Sequence, residues 1–475
     1  MSARTKVLLI YPNFHYFPGW LQNKLNYKQI PLGLLYLASF IRSKYPVDVR
    51  ICDASFLDVA EKDVLQHVAE FKPDIVGMAI YTPTVGFCRN IALEVRRLLP
   101  EALIVFGGPH VTALPFENLD VADICILGEG EITFGEVVRS FISKVPFEQV
   151  NGISFKRDSR CFLTPERELI DDLDILPFPA RDMYQRSIYQ HIYPYQLGNP
   201  FYSAIVTSRG CAFDCNFCSN NLMWKRKVRY RSLDNIFSEI GGIVKDYNIS
   251  FLRIGDDNFI GNPELVIDFC RRKKKLFPKL KWFCHVRADA LTPELIGEIK
   301  EGGCVEVQIG VESGDDQILR NCNKMSTTAV VHNAIKMLQK NKINIWATFI
   351  IGNEGDTRAS IEKTIRYAKK IDPTYCSFMF LSPLPGTNSY LSMSKKGYIK
   401  AKNWSEYSWH GEPVFETEEL SKEMLLSLRK KAYRSFYLRP KIIFRYAYAA
   451  LRSRQWKTIF SDFLLLLKFV FGFIK

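Results

Sequence analysis

The stretch SAIVTSRGCAFDCNFCS, residues 203 to 219, passes from a short apolar run into a polar loop that holds Cys211, Cys215 and Cys218. An apolar run of that length, stopped by glycine, reads as a buried strand followed by a turn. Five more such runs follow: ISFLRIGDDN (249–258), LKWFCHVRAD (280–289), VEVQIGVESG (305–314), INIWATFIIGN (343–353) and YCSFMFLSPLPG (375–386). Stretches with helical spacing separate them. In each run the polar residues or glycines gather at the C-terminal end, where a barrel of parallel strands carries its chemistry. Six strand–helix units rather than eight predict an open, partial (βα)6 TIM-like barrel with the cysteine loop at its mouth.

Upstream, a first alternation precedes this one. KVLLIYP (6–12), VDVRICDAS, DIVGMAIYT, ALIVFGGPH and ADICILGEGE read as strands, with helical spacing over 30–45, 63–71, 87–99 and 131–143. Five strands alternating with helices predict an α/β, flavodoxin-like (Rossmann-type) parallel sheet. Pro165, Pro177, Pro179, Pro194 and Pro200 break the pattern, so residues 146–200 read as a linker. The expected organisation is a first domain over 1–145, the linker, a barrel core over 201–415 and a helical tail over 416–475.

The formal net charge of +14 raises the question of nucleic acid. From Ser421 to Lys475, however, thirteen Lys or Arg face only Glu423 and Asp462, so most of the excess belongs to the tail. No nucleic-acid partner is expected. The opening MSARTKVLLIYPN has too short an apolar run for a secretory signal. Together with twelve cysteines, this predicts a reducing, cytoplasmic setting with free thiols. Nine of the twelve are scattered singly and read as small buried hydrophobes.

Three clustered cysteines pose a ligand problem. A structural zinc site is closed by four ligands, and no further His or Cys follows nearby. A four-iron four-sulfur cluster held by three thiolates leaves one iron open to a small molecule. On this reading the missing fourth ligand is a docking site, with zinc as the rival.

The segment CAFDCNFC, with Phe217 before its last cysteine, resembles the CxxxCxxC signature of radical S-adenosylmethionine (SAM) enzymes. The resemblance extends over residues 203–390. It implies that SAM chelates the open iron and that an electron splits it to methionine and a 5′-deoxyadenosyl radical. An electron donor such as ferredoxin or flavodoxin is then required. RIGDDNF, with Asp256 and Asp257, is similar to the family's second-strand motif, and HVRAD, with Arg287, to its third. GVESGDDQILRNCNK is similar to the fourth-strand segment, which would bring Glu312 and Ser313 near the SAM ribose or methionine. Arg287 matches a carboxylate in geometry and is a candidate for the methionine end. The alternatives are helix caps for Asp256 and Asp257 and a structural role for Arg287.

At the carboxyl ends of the first sheet lie YTPT (81–84), FGGPHVT (106–112) and LGEGE (127–131). Glycines there let backbone approach a ligand. With PLGLLYLASFI (31–41), these segments resemble the cobalamin-binding domain of many radical SAM proteins. The resemblance implies a cobalamin site formed by Thr82, Gly107, Gly108, His110, Gly128, Glu129 and Gly130. The chain lacks the D-x-H-x-x-G pattern whose histidine ligates cobalt, so the likeness is to the branch that binds cobalamin base-off without that ligand.

The resemblance implies a C-methyltransferase: one SAM methylates cob(I)alamin, and a second supplies the radical that activates a substrate carbon. The arrangement is also similar to that of anaerobic porphyrin cyclases and hopanoid methylases, so cyclisation or rearrangement is the alternative. A non-catalytic cobalamin sensor is a third reading, disfavoured because a sensor needs no open iron. No residue names the small-molecule substrate. The tail mixes basic and Phe/Leu-rich segments, which predicts either peripheral contact with an anionic membrane, favouring a lipid-like substrate, or a helix packed on the barrel.

Overall fold

The computed structural model describes residues 4–13, 30–54, 61–184, 202–408 and 411–452. In the first sheet β1 (Thr5–Tyr11), β2 (Val47–Asp53), β3 (Ile75–Ala79), β4 (Leu103–Gly107) and β5 (Ile124–Ile126) are parallel, in the order β2-β1-β3-β4-β5. That is the flavodoxin-like order. Both faces are covered. Leu8, Ile10, Val76 and Phe106 pack to one side, and Val7, Leu9, Val105 and Ile124 to the other. The two-residue alternation of a strand thus serves two cores at once, which is why these runs read as continuously apolar.

Part of the stretch expected as a linker instead extends this sheet. β6 (Ile153–Arg157) and β7 (Arg160–Leu163) form an antiparallel hairpin on its β5 edge. The hairpin begins at Gly152, whose φ of +79° suits glycine, and turns through Asp158 and Ser159. Only β6 is buried; β7 lies exposed at the rim. An edge strand of this kind carries no strong apolar run, which hid it in the sequence.

The second sheet contains β8 (Tyr202–Ile205) and, after the short antiparallel pair β9 (Ser208–Arg209) and β10 (Arg229–Tyr230), the strands β11 (Phe251–Ile254), β12 (Lys281–Val286), β13 (Cys304–Glu312), β14 (Asn344–Ile351) and β15 (Tyr375–Phe380). All six main strands are parallel and adjacent in chain order. This is the open (βα)6 barrel that the six apolar runs predicted. The longest helix in each connection between neighbouring main strands starts on a polar cap: the side chains of Ser232, Asn262, Thr292, Thr327 and Thr357 accept from backbone N–H groups three residues on. Such a cap contributes about 1 kcal/mol and fixes where the chain leaves the barrel rim.

The first part of the tail packs as core. Helix Lys422–Tyr437 buries Leu425, Leu428, Ala432, Tyr433, Phe436 and Tyr437 against β15. The Tyr437 hydroxyl donates to the Cys376 carbonyl at 2.7 Å, and the hydroxyls of Tyr437 and Tyr433 accept from the amides of Cys376 and Phe378 at 2.9 and 3.2 Å. Side chains therefore pair the open edge of the barrel sheet. Asp372 then gathers Arg439, Lys441 and Arg445, one acid among three cations, so the next helix is tethered here while its basic excess is largely kept. The Phe/Leu-rich end from 453 onward lies outside the described residues.

Candidate functional site

The cysteine loop sits where β8 and β9 end, and its footings are built from the strands beside it. The buried Asp256 carboxylate accepts from the Thr207 amide (2.7 Å), the Thr207 hydroxyl (2.5 Å) and the Ser208 hydroxyl (2.6 Å). Burial pushes Asp256 up to about 6 against the pull of these bonds. Asp257 is hydrogen-bonded to the Gly210 backbone and to the Asn220 and Trp224 side chains; burial raises it as well. Neither acid caps a helix, a duty that falls to Asn262. Both brace the chain on its way into and out of the loop. Gly210, at φ +97°, admits no side chain because a Cβ would overlap the Lys227 carbonyl.

Across the loop, Asn216 donates from its backbone to Cys322 O (3.0 Å) and from its side chain to Asn321 O (2.7 Å), while Asn323 reaches the Asp214 carbonyl. Phe217 packs against the barrel core. Cys215 is buried, and Cys211 and Cys218 are half-buried. Burial raises the Cys215 thiol, opposed by the charges of Lys324 and Arg287. It pushes Cys218 up to about 12, and Cys215 and Cys211 lie close enough to add to that rise.

Arg287 is fully engaged. Its guanidinium lies 3.4 Å from the Phe213 ring centroid and 4.0 Å from Cys215 Sγ, donates to both Asp289 oxygens (3.0 and 2.8 Å), and reaches the Lys324 carbonyl (2.6 Å). The expectation that it meets a methionine carboxylate therefore competes with bonds already made. Glu312 holds a left-handed φ of +64° at a bulge of β13 and accepts from Lys324 Nζ at 2.7 Å, both groups buried. Gly310 makes room, since a Cβ there would stand 2.8 Å from Nζ. Ser313 turns the other way, to the Thr364 hydroxyl and the Asp315 amide.

This setting fits a cluster. The three thiols lie within electrostatic reach of one another, with two buried cations, Lys324 and Arg287, acting on the deepest one. A nearby acceptor is also open: Asn258 Oδ1 is buried without a hydrogen-bond partner at the end of β11. It can receive a donor from a bound molecule.

The loops of the first sheet face this region. Gly108, at φ +103°, brings its backbone against Ile80; a Cβ would lie 2.9 Å from the Ile80 carbonyl. At Gly107 a Cβ would meet only Ile126, at 3.8 Å. The pressure for glycine at 108 thus comes from the protein's own backbone. Gly128, at φ +70°, has open space beside it, and Gly130 starts helix Gly130–Ser143 against Leu37. His110 is buried, its Nδ1 3.2 Å from the Thr82 hydroxyl and its Nε2 2.7 Å from Glu117, which also accepts from Trp404 at 2.7 Å. With both nitrogens taken, it has none to offer a metal.

Glu129 differs from the ligand role expected of it. Its oxygens accept from Arg209 (2.8 Å), Arg229 (2.6 Å) and the Ile170 amide (2.9 Å), and Glu131 accepts from Arg209 at 2.6 Å. With the Glu129 carboxylate engaged and the Gly128 amide donating to the Thr112 hydroxyl at 3.0 Å, what this loop offers a ligand is the open space beside Gly128. Lys324, Phe213, Arg209 and Arg229 were all missed in the sequence. Lys324 and Arg209 lie inside motifs quoted above, but nothing in a sequence says which distant acid a cation will find.

Comparison with known proteins agrees with this architecture. The Radical SAM superfamily profile matches residues 205–368 and the B12 binding domain profile residues 21–138. An uncharacterized methyltransferase of Pyrococcus horikoshii is 32% identical over 87% of this chain and 89% of its own. The anaerobic magnesium-protoporphyrin IX monomethyl ester cyclase of Rubrivivax gelatinosus is 26% identical over 95% of this chain and 80% of its own. The solved structure of the cobalamin-dependent SAM radical enzyme OxsB superposes with a TM-score of 0.72 at 17% identity, covering 98% of this chain and 72% of that one. With both domain profiles present and a 32% identical relative aligned along most of its length, the chain belongs to the cobalamin-binding radical SAM family.

Proposed function

We propose that the chain is a cobalamin-dependent radical SAM enzyme that methylates an unactivated carbon of a small-molecule substrate. The observation that carries this is the juxtaposition of two loop sets: Arg209, two residues before Cys211, is bonded to Glu129 and Glu131 at the end of the first sheet. When bound, the cluster and SAM supply a carbon-centred radical, and cobalamin supplies the methyl group. Cys211, Cys215 and Cys218 hold the cluster. Lys324 and Arg287 offset negative charge at Cys215, with Glu312 and Asp289 fixing their positions. Asp256 and Asp257 keep the loop's footings still. The backbone of Gly107–Gly108 and the space beside Gly128 would receive cobalamin, and His110 would stay with Thr82 and Glu117 rather than act as a ligand.

The relatives' names divide between methyl transfer and ring formation, and the 32% identical relative favours the former. Fold and cofactors alone do not separate the two. Anaerobic incubation of the reconstituted chain with SAM and a reductant such as flavodoxin tests the reading. Both 5′-deoxyadenosine and S-adenosylhomocysteine should accumulate; 5′-deoxyadenosine alone would point to cyclisation or rearrangement, and neither would overturn the enzyme reading.

We also propose a cytoplasmic enzyme with peripheral membrane contact through its C-terminal region. No helix among the described residues is long and apolar enough to cross a membrane. Ile443, Phe444 and Tyr448 are nonetheless exposed on the basic helix Pro440–Arg452. Such a face suits the surface of an anionic bilayer. Full-length protein should sediment with anionic vesicles, and the double variant Ile443→Ser, Phe444→Ser less so. Failure of the full-length protein to sediment would refute the contact.

A further inference from the structure

We propose that Arg209 is a positioning residue whose forked guanidinium locks the Gly128–Glu131 loop to the cysteine loop and so sets how cobalamin approaches SAM; this rests on the function proposed above. Arg209 lies in β9, and Gly210 alone separates it from Cys211. Its two terminal nitrogens go to different acids: Nη1 to Glu129 at 2.8 Å and Nη2 to Glu131 at 2.6 Å. The acids sit at the start of helix Gly130–Ser143, on either side of Gly130. One planar group therefore reads the position of that loop at two points.

The surroundings leave the fork no other partner of equal quality. The Arg209 guanidinium lies 5.3 Å from the Tyr36 ring centroid and 6.0 Å from that of Trp224. Arg229, the register partner of Arg209 across β9 and β10, closes the second oxygen of Glu129 at 2.6 Å and the Ile170 carbonyl at 2.7 Å. Two arginines balance two glutamates, and all four side chains are shielded from water; the Glu129 side chain is 3% exposed and that of Arg209 10%. Burial alone would raise Glu131, but the Arg209 charge and hydrogen bond, together with the Arg229 charge and a backbone hydrogen bond, outweigh it and hold the acid below its usual range.

A buried ion-pair cluster is a poor way to gain stability. Desolvating each charge costs about as much as the pairing returns, and apolar residues of equal volume would often hold two domains together as well. What the charges add is direction. An apolar seam tolerates a slide of a few ångströms, whereas the fork accepts both carboxylates in one arrangement and strands a buried charge in any other. The seam so fixed joins the loop assigned to cobalamin with the loop assigned to the cluster. A lock at that place controls the distance between the two reactive centres, where misplacement by an ångström is costly.

The experiment uses the full chain, anaerobically reconstituted with cluster and cobalamin, and the variants Arg209→Lys, Glu131→Gln and Arg209→Met. Arg209→Lys keeps the charge but removes the fork, and Glu131→Gln removes one arm, so either serves if Arg209→Met fails to fold. The first readout is the magnetic dipolar coupling between the reduced cluster and cob(II)alamin. The native chain should give one narrow spacing, and the variants a shifted or broadened one at unchanged iron and cobalamin content. The second is the ratio of S-adenosylhomocysteine to 5′-deoxyadenosine formed from SAM, expected to fall on the order of tenfold to a hundredfold. Unchanged coupling and ratio in Arg209→Lys and Glu131→Gln would overturn the proposal, and so would loss of both cofactors together, which marks a merely structural residue. If the native chain forms no S-adenosylhomocysteine, the methyl-transfer reading fails, while the dipolar coupling still judges Arg209.

Discussion

The two sheets present their loops to the same space by opposite means. In the barrel the loop is defined by side chains: three thiols, two cations against Cys215, and Asp256 and Asp257 bonded beneath. In the first sheet it is defined by backbone, with Gly108 pressed on Ile80 and Gly128 at positive φ beside open space. The side chains nearby, Glu129, Glu131 and His110, are turned to protein partners instead. The first arrangement suits covalent ligation, which needs particular atoms. The second suits a large cofactor, which needs a surface.

The sharpest break of that contrast comes from the thiols. Cys211→Ala, Cys215→Ala and Cys218→Ala should each reduce iron and sulfide after anaerobic reconstitution to background, while Cys270→Ala and Cys284→Ala, both in the barrel wall, should retain them. Iron retained in all three loop variants would mean that the cluster sits elsewhere.

In the first sheet the equivalent test is steric. Gly108→Val forces a β-branched residue into φ +103° with its Cβ 2.9 Å from the Ile80 carbonyl. It should cost about 2 kcal/mol or more and abolish cobalamin binding. Gly107→Ala, with 3.8 Å to its nearest neighbour, should leave the urea midpoint almost unmoved. Equal effects at the two positions would refute the backbone account.

A third, smaller effect separates both loop sets from the sheet below. His285 of β12 is lowered to about 4, first by burial and then by the Arg253 charge. Between pH 4 and the unfolded value of about 6.5 the unfolded chain binds the extra proton, so stability rises with pH across that window and is complete above it. His285→Gln should flatten this limb in a series of urea midpoints against pH. An unchanged slope would show that His285 does not titrate on unfolding.

The same contrast explains what the sequence could disclose. A site made of side chains is written in residue types at fixed spacing, so Cys211, Cys215 and Cys218 stand out. A site made of backbone is written only as glycines, which every strand–helix turn also uses; LGEGE was readable through resemblance alone. The ligand role expected of Glu129 has the same origin. Glu129 reads as a polar residue at a loop end, and its partners Arg209 and Arg229 lie eighty and a hundred residues away. Strand order followed from alternation, whereas the β6–β7 hairpin did not, because an exposed edge strand needs no apolar pattern.

The tyrosines that pair the free edge of β15 have a consequence for how the chain is made. Tyr433 and Tyr437 follow every strand of the barrel, so during synthesis the amides of Cys376 and Phe378 wait without partners until the helix that carries these hydroxyls has left the ribosome. Through that interval the nascent sheet offers a ready template to any neighbouring unfinished chain on the same message. The last helix closes that window. A stop codon just ahead of residue 422 should therefore give insoluble protein at the moment of translation, even though every cofactor loop has already been made.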